Sequence, residues 1–180
     1  GIHAVEDYIM ARYQMYWQVY LHPTSRSFES ILQSIFKRMR DLIHEESDAV
    51  DVVSYFKPFV SEGEVSLRDF LMLDESTCLH GFVLLTESED AILKDLALRL
   101  LNRVLFKYED LKSSRQLDEI KLALENNGYN PDYYLVEDFM TQSLYQAPYQ
   151  KGGEDGIYVL IDNELVELSE ASQLVSGFVK

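Results

Sequence analysis

The sequence predicts a mainly helical chain with a smaller C-terminal lobe that mixes helices with a small antiparallel sheet. Apolar residues recur at helical spacing over 28–43, which indicates a long amphipathic helix. Residues that begin helices precede several further apolar segments within the first 100 positions. Near the end, the runs 157–161 and 164–168 flank Asp162-Asn163, a pair typical of a β-hairpin turn.

The first helix is unusual because it lacks a solvated side. Over residues 8–21 its only full charge is Arg12. A helix that is apolar or aromatic on nearly every side is expected in the interior of a protein. We therefore expect Met10, Met15 and Trp17 to be core residues and this helix to be covered by other layers.

Arg12, Tyr16 and Tyr20 follow one another at four-residue steps in this helix. Each step drifts only about 40° around a helix axis, so one guanidinium and two phenol rings share a face. A buried guanidinium requires an anionic partner, because an unpaired buried charge is strongly destabilising. Either a carboxylate of the same fold or a ligand can supply that partner, and the sequence leaves both open.

The remaining elements are predicted from local signals of three kinds: apolar period, helix caps and turn residues. Thr24 or Ser25 can cap the helix over 28–43, and Ser66 and Asp74 have the capping side chains expected one residue before a helix. The predicted elements in order are a short helix over 49–56, helices over 67–73, 75–85 and 91–103, a strand over 104–108, a helix over 114–127 ended by Gly128, extended segments over 133–136 and 139–145, the hairpin, and a closing helix capped by Ser169.

Composition limits the possible functions. The chain has 180 residues, 47% of them apolar, which suffices for one core or a core with a small lobe. Sixteen basic and thirty-one acidic residues give a net charge of −15, which argues against general nucleic-acid binding. A single cysteine, Cys78, predicts a cytoplasmic protein without internal disulfides. No apolar run approaches the roughly 20 residues of a membrane span.

The sequence contains no recognisable catalytic centre. Its histidines are His3, His22, His44 and His80, none followed by Asp and no two separated by four residues. A zinc site therefore has no support, and no phosphate-binding glycine loop or nucleophile motif occurs.

Three features of the sequence stand out together: the spacing of Arg12, Tyr20 and His22, the run 105–108, and the helix before that run, which begins at acidic residues. In these features the sequence resembles the C-terminal part of HD-superfamily phosphohydrolases. The resemblance is to bacterial members related to deoxynucleoside triphosphate triphosphohydrolases. It implies that residues 1–45 are the terminal helices of the HD core and 46–180 a C-terminal α+β lobe. The family's metal ligands, a His, a His-Asp pair and an Asp, are absent from this sequence, so a divalent metal is expected only in the HD core of a longer parent.

The resemblance also implies roles for individual residues. Arg12 would contact the triphosphate, Tyr16 would lie near the phosphates, and Tyr20 would lie against the sugar of a deoxynucleoside triphosphate. His22 and Lys94 match positions that touch an effector nucleotide at subunit contacts, which implies a homo-oligomer. The parent would release nucleoside and triphosphate, and this chain alone would be inactive and hold no cofactor.

A second interpretation remains open from the residues themselves. Arg12 can form a structural ion pair, and Tyr16 and Tyr20 can be core aromatics with satisfied hydroxyl groups. The chain would then be a non-catalytic regulatory or protein-interaction module whose helical face docks a partner. Neither interpretation includes nucleic acid or membrane as a partner.

Overall fold

The computed structural model describes residues 1–138 and 156–177, which are mostly helical with a two-stranded antiparallel sheet near the C-terminus. The predicted fold class is confirmed. The elements in order are α1 (Ile2–Met15), a π-helical turn (Tyr16–Tyr20), α2 (Pro23–His44), a 3₁₀ segment (Asp48–Phe56), α3 (Lys57–Val60), α4 (Leu67–Met72), α5 (Glu75–Leu85), α6 (Ala91–Asn102), α7 (Ser114–Asn126), α8 (Pro131–Tyr134), β1 (Tyr158–Ile161), β2 (Glu164–Glu167), α9 (Leu168–Ala171) and α10 (Gln173–Ser176).

The contacts divide the chain into two compact units, residues 23–137 and residues 1–22 with 138–180. The boundary predicted after residue 45 concerns the domains of a longer parent and stays a prediction. No helix among the described residues is both long enough and apolar enough to span a bilayer.

Helix α2 organises the core of the unit formed by residues 23–137. Its buried side chains Ile31, Ile35, Met39 and Leu42 recur at three- and four-residue spacing, as the sequence predicted. The helix packs against α6, the 3₁₀ segment and α8. The other buried apolar residues of this core are Val50, Val53, Phe56, Val60, Phe82, Leu85, Leu93, Leu96, Ala97, Leu100 and Tyr133.

Helix caps were predicted well where the capping side chain directly precedes the helix. Asp74 accepts a hydrogen bond from the Thr77 amide at 2.7 Å, and Ser66 accepts one from the Asp69 amide at 3.1 Å. The predicted caps of α2, Thr24 and Ser25, are wrong because the helix already begins at Pro23. Proline fits the first position of a helix, since its φ is preset and it has no amide hydrogen to satisfy.

The strand predicted over 104–108 is wrong. Arg103 ends α6 in the left-handed conformation with φ 55°, and the following segment pairs with no strand among the described residues. Its apolar side chains Leu105 and Phe106 pack on the core instead. The Phe106 carbonyl accepts a hydrogen bond from the Ser27 hydroxyl at 2.8 Å, so the segment is held by α2 rather than by a sheet.

Two smaller predictions also need correction. The segment over 133–136 was expected to be extended, but Asn130 caps a helical turn that includes residues 133 and 134, and only Leu135 begins an extended path. The predicted cap Ser169 lies inside α9, and two short helices replace the single closing helix. The segment predicted as extended over 139–145 lies outside the described residues.

The predicted hairpin is confirmed in the unit that contains α1. Asp162 and Asn163 form its two-residue turn with φ of 48° and 69°, the left-handed conformation that such turns require. Ile9 of α1 is buried in one cluster with Leu168 and Val175. The Ser172 hydroxyl also donates a hydrogen bond to the Glu6 carboxylate at 2.5 Å, so α1 is tied to the C-terminal helices.

Gly81 tests how tightly the core is packed. A Cβ atom there would lie 2.5 Å from two ring carbons of Phe56 and 2.8 Å from the Tyr55 hydroxyl. Since Phe56 is fully buried, its ring has little room to move. We expect Gly81→Ala to lower the free energy of unfolding by about 1–3 kcal/mol, although alanine favours helices by about 1 kcal/mol.

Urea titration of both proteins measures this change directly. The control is Gly177→Ala, because a Cβ atom there meets its nearest neighbours at 3.5 Å, an ordinary contact distance. Equal or greater stability of Gly81→Ala would contradict the tight packing.

Candidate functional site

The candidate site lies at the C-terminal end of α1, where the helix widens into a π-helical turn. The Leu21 amide donates to the Tyr16 carbonyl at 2.8 Å, a bond that spans five residues instead of four. Single π turns in α-helices are frequent at functional sites. Sequence periodicity did not indicate this turn, because it assumes a regular helix.

The structure brings Arg12, Tyr16 and Tyr20 together on one face, as their spacing predicted. The Arg12 guanidinium carbon lies 5.2 Å from the centroid of the Tyr16 ring. The Tyr16 and Tyr20 rings are 4.9 Å apart at their centroids and tilted by 40°. A guanidinium over the face of an aromatic ring is attracted by the ring quadrupole, so Tyr16 holds the Arg12 side chain in place.

Arg12 has no carboxylate partner among residues 1–138 and 156–177. It differs in this from Arg38 and Arg99, which lie within 2.8 Å and 2.6 Å of Asp90 and Asp95. The structural ion pair that the sequence left open is therefore not formed with any described residue. The guanidinium hydrogens of Arg12 can meet an anion from outside the described chain.

The surroundings of this face are exposed rather than buried. Trp17 and Met15 are 44% and 43% exposed, so the described residues do not bury them and their place in a core stays a prediction for the longer parent, whereas Met10 packs beside the Ile9 cluster. Only the side of α1 that carries Ile9 is covered by the described residues. The even distribution of apolar residues around this helix predicts that it is covered, and the cover is expected from a segment of the parent upstream of Gly1.

His22 and Lys94, the two predicted effector-binding residues, belong to different units. His22 follows the π turn and Lys94 lies on α6, and both are exposed. Their roles, like those of Arg12, Tyr16 and Tyr20, stay predictions.

The described residues do not fit a divalent metal. They contain no group of three or more His, Cys, Asp or Glu side chains that could hold one. Any metal of the parent protein would need ligands from elsewhere.

The unit of residues 23–137 contains a cleft of about 340 Å³ that the sequence did not indicate, since its lining comes from three helices. Its two cations are already engaged. Lys37 donates to the Asp132 carbonyl at 2.9 Å, and Lys121 lies 4.0 Å from the Glu137 carboxylate. The lining also carries the carboxylates of Glu125, Asp132 and Glu137, which outnumber the two lysines, so this cleft is a weaker candidate for an anionic ligand than the α1 face.

The relatives that match this sequence are themselves uncharacterized proteins. No protein-family model matches the chain. It is 40% identical over 184 residues to the uncharacterized protein YwfO of Bacillus subtilis, covering 98% of this chain and 42% of YwfO. It is 27% identical over 182 residues to the uncharacterized protein MG461 of Mycoplasma genitalium, covering 95% of this chain and 42% of MG461. The chain thus spans less than half the length of these relatives.

One solved structure is similar to this chain over nearly its whole length. A phosphohydrolase from Bacteroides thetaiotaomicron superposes with a TM-score of 0.70 and 25% identity, over 96% of this chain and 45% of that one. The fold of this chain is therefore similar to the corresponding part of a phosphohydrolase.

Proposed function

We propose that this chain is the C-terminal part of an HD-type phosphohydrolase that converts deoxynucleoside triphosphates to nucleoside and triphosphate. In this proposal the chain supplies substrate contacts and subunit or effector contacts, and it is inactive alone. The structural similarity to a phosphohydrolase supports the general class of reaction. The protein would act in the cytoplasm, in keeping with its single cysteine.

The observation that carries the proposal is the Arg12 guanidinium, which lies over the Tyr16 ring and has no carboxylate partner among the described residues. A planar guanidinium can donate two parallel hydrogen bonds to two oxygens of one phosphate group. The contact with the Tyr16 ring restricts the Arg12 side chain before the ligand arrives, which lowers the entropy cost of binding.

Tyr20 extends the same face by one ring. The residue is 54% exposed, and its hydroxyl has no hydrogen-bond partner within the described part of the chain. A phenol placed beside bound phosphates can hydrogen-bond the sugar of the same nucleotide. The divalent metal of this family would supply activation of the phosphate and water from residues of the parent outside this chain.

Incubation of the full-length protein with each deoxynucleoside triphosphate and a divalent metal tests the proposal. The expected products are nucleoside and inorganic triphosphate, separated by ion-exchange chromatography, and chelator should stop their formation. Stepwise release of phosphate or diphosphate, or no hydrolysis of any of these nucleotides, would contradict the proposal.

Tyr20→Phe removes only the phenol hydroxyl and so tests its contact with the sugar. In the full-length protein we expect KM for a deoxynucleoside triphosphate to rise about fivefold to tenfold, the effect of one neutral hydrogen bond. The 2′,3′-dideoxy analogue lacks the 3′-hydroxyl, so its KM should change less. Equal changes for both substrates would show that the hydroxyl does not contact that group.

A protein-interaction module remains the second candidate, and one observation favours it. Four side chains of α4 are largely exposed although they are apolar: Leu67 at 73%, Phe70 at 64%, Leu71 at 70% and Met72 at 68%. Exposed apolar side chains in one short segment often mark a contact surface. If the full-length protein hydrolyses no nucleotide, this surface is the place to look for a partner.

A further inference from the structure

Tyr16 occupies the middle of the row formed by Arg12, Tyr16 and Tyr20. It is half-buried, whereas Arg12 and Tyr20 are exposed. The centroid of its ring lies 5.2 Å from the Arg12 guanidinium carbon and 4.9 Å from the centroid of the Tyr20 ring. Its hydroxyl forms no hydrogen bond with any residue in the described part of the chain. The interactions of Tyr16 in this row are therefore made by its ring.

The π turn keeps the row straight. In an α-helix a four-residue step overshoots a full turn by about 40°, which is the offset expected from Arg12 to Tyr16. A π turn is closed by hydrogen bonds between residues five apart, so a four-residue step falls short of a full turn. The step from Tyr16 to Tyr20 lies within the π turn, and its offset opposes the first one. Tyr20 therefore stays in line with Arg12 and supports the Tyr16 ring from the C-terminal side.

A contact with a ring face leaves the hydrogen atoms of a guanidinium available, because all of its N–H groups lie in one plane. Arg38 shows this within the same chain. Its guanidinium carbon lies 5.3 Å from the centroid of the Tyr133 ring, while its Nη2 atom donates to Asp90 at 2.8 Å. Arg12 makes the same kind of ring contact, and its N–H groups remain available to an anion from outside the described chain.

We propose that Tyr16 is a positioning residue for the phosphate contact of Arg12, which acts through the face of its ring and not through its hydroxyl. The inference rests on the proposed function, because it requires that Arg12 binds a phosphate group. It differs from the place beside the phosphates that the family resemblance implied for Tyr16. A ring that restricts the guanidinium before binding reduces the entropy lost on binding, so its effect should appear in affinity.

Substitution of the ring tests this role. Binding of inorganic triphosphate to the full-length protein, without divalent metal, can be measured by isothermal titration calorimetry. Tyr16→Leu removes the ring and should raise Kd about twofold to fivefold, the range expected for an exposed cation–π contact. Tyr16→Phe keeps the ring but lacks the hydroxyl, so it should restore the affinity that Tyr16→Leu loses.

A double-mutant cycle shows whether Tyr16 acts through Arg12. In an Arg12→Ala background, Tyr16→Leu should raise Kd no further, because the group that it positions is gone. The matched control is Tyr8→Leu. Tyr8 also lies four residues from Arg12, but it is 64% exposed and its ring makes no contact with the Arg12 guanidinium. This variant should leave Kd unchanged.

An NMR measurement tests the contact without any ligand. A proton held over the face of an aromatic ring resonates upfield, so the Nε–H signal of Arg12 in arginine-labelled protein should move downfield in Tyr16→Leu. In Tyr16→Phe it should stay near its wild-type position. Loss of the signal in Arg12→Lys identifies it.

The expected result is weaker binding by Tyr16→Leu, rescue by Tyr16→Phe and no further loss without Arg12. Equal losses for Tyr16→Phe and Tyr16→Leu would overturn the inference, because the hydroxyl would then contact the ligand. So would a full effect of Tyr16→Leu in the Arg12→Ala background, or an Nε–H signal that Tyr16→Leu does not move. A wild-type protein that binds no triphosphate, or an unchanged Kd for Arg12→Ala, would instead contradict the phosphate contact of the proposed function, even where the NMR signal shows that Tyr16 holds Arg12.

Discussion

In the full-length protein, Arg12→Ala is expected to lower kcat/KM for deoxynucleoside triphosphate hydrolysis about tenfold to a hundredfold and to leave Tm nearly unchanged. A charge-assisted hydrogen bond to phosphate contributes about 1.5–3 kcal/mol, which corresponds to that loss of rate. Stability should hardly change because Arg12 is exposed and has no ion-pair partner in the described structure. Steady-state kinetics and thermal melting measure the two effects on the same preparation.

Two variants separate phosphate contact from simple loss of charge. Arg12→Lys keeps the charge but loses the planar pair of donors, so its kcat/KM should lie between wild type and Arg12→Ala. Arg115→Ala removes an exposed arginine from α7, where it pairs with Glu119 one turn away, and should leave the kinetics unchanged. A fall in Tm without a fall in activity for Arg12→Ala would mean that the side chain is structural.

The helices that the sequence predicted well are those defined by local rules. In α2 the apolar positions repeat along one stripe, and the same positions are buried. The caps Asp74 and Ser66 act on amides three residues away, so a window of a few residues contains all the information. The strand over 104–108 failed because pairing depends on a second strand, and an apolar run does not reveal whether one exists.

The candidate site was predicted only in part for a similar reason. Four-residue spacing placed Arg12, Tyr16 and Tyr20 on one face, and the structure confirms that their side chains are in contact there. The π turn and the exposure of this face depend on what packs around α1, which the helix's own composition does not specify. The interaction between Arg38 and Asp90 was missed altogether, since 52 residues separate its two members.

The ion pair between Arg38 and Asp90 connects α2 to the start of α6. The Arg38 Nη2 and Nε atoms donate to one oxygen of Asp90 at 2.8 Å and 3.2 Å. The other oxygen of Asp90 accepts from the Leu93 amide at 2.8 Å, so the same carboxylate also caps α6. Arg38 donates further to the Tyr133 hydroxyl at 3.3 Å, which brings α8 into the network. One carboxylate therefore serves both a helix end and a contact between helices.

Asp90→Ala is expected to lower the free energy of unfolding by about 2–4 kcal/mol. The variant loses the cap of α6 and leaves the Arg38 charge without its main partner. The side chains of Arg38 and Asp90 are only 15% and 12% exposed, so water replaces little of the lost interaction. Denaturant titration at pH 7 measures the change. A loss no larger than that of Asp74→Ala, which removes an exposed cap without an arginine partner, would contradict a role for the ion pair.

The pH dependence separates the charge from the cap, because Asp90→Asn keeps a capping oxygen but cannot ionise. Burial alone would raise the pKa of Asp90, but hydrogen bonds from Arg38 and the Leu93 amide, with the Arg38 charge, outweigh it and lower that pKa. The same contact raises the pKa of Arg38 against the effect of burial.

The lowered pKa of Asp90 sets the pH range in which its charge stabilises the fold. An unfolded aspartate titrates near pH 3.9, so the stabilisation from the ionised Asp90 is complete well above that pH. It is lost as the pH falls through the lower pKa that Asp90 has in the folded protein. The difference in unfolding free energy between wild type and Asp90→Asn should therefore stay constant from about pH 6 to 8 and shrink below about pH 4. A difference that remains unchanged into the acid range would show that the ion pair with Arg38 does not stabilise the fold.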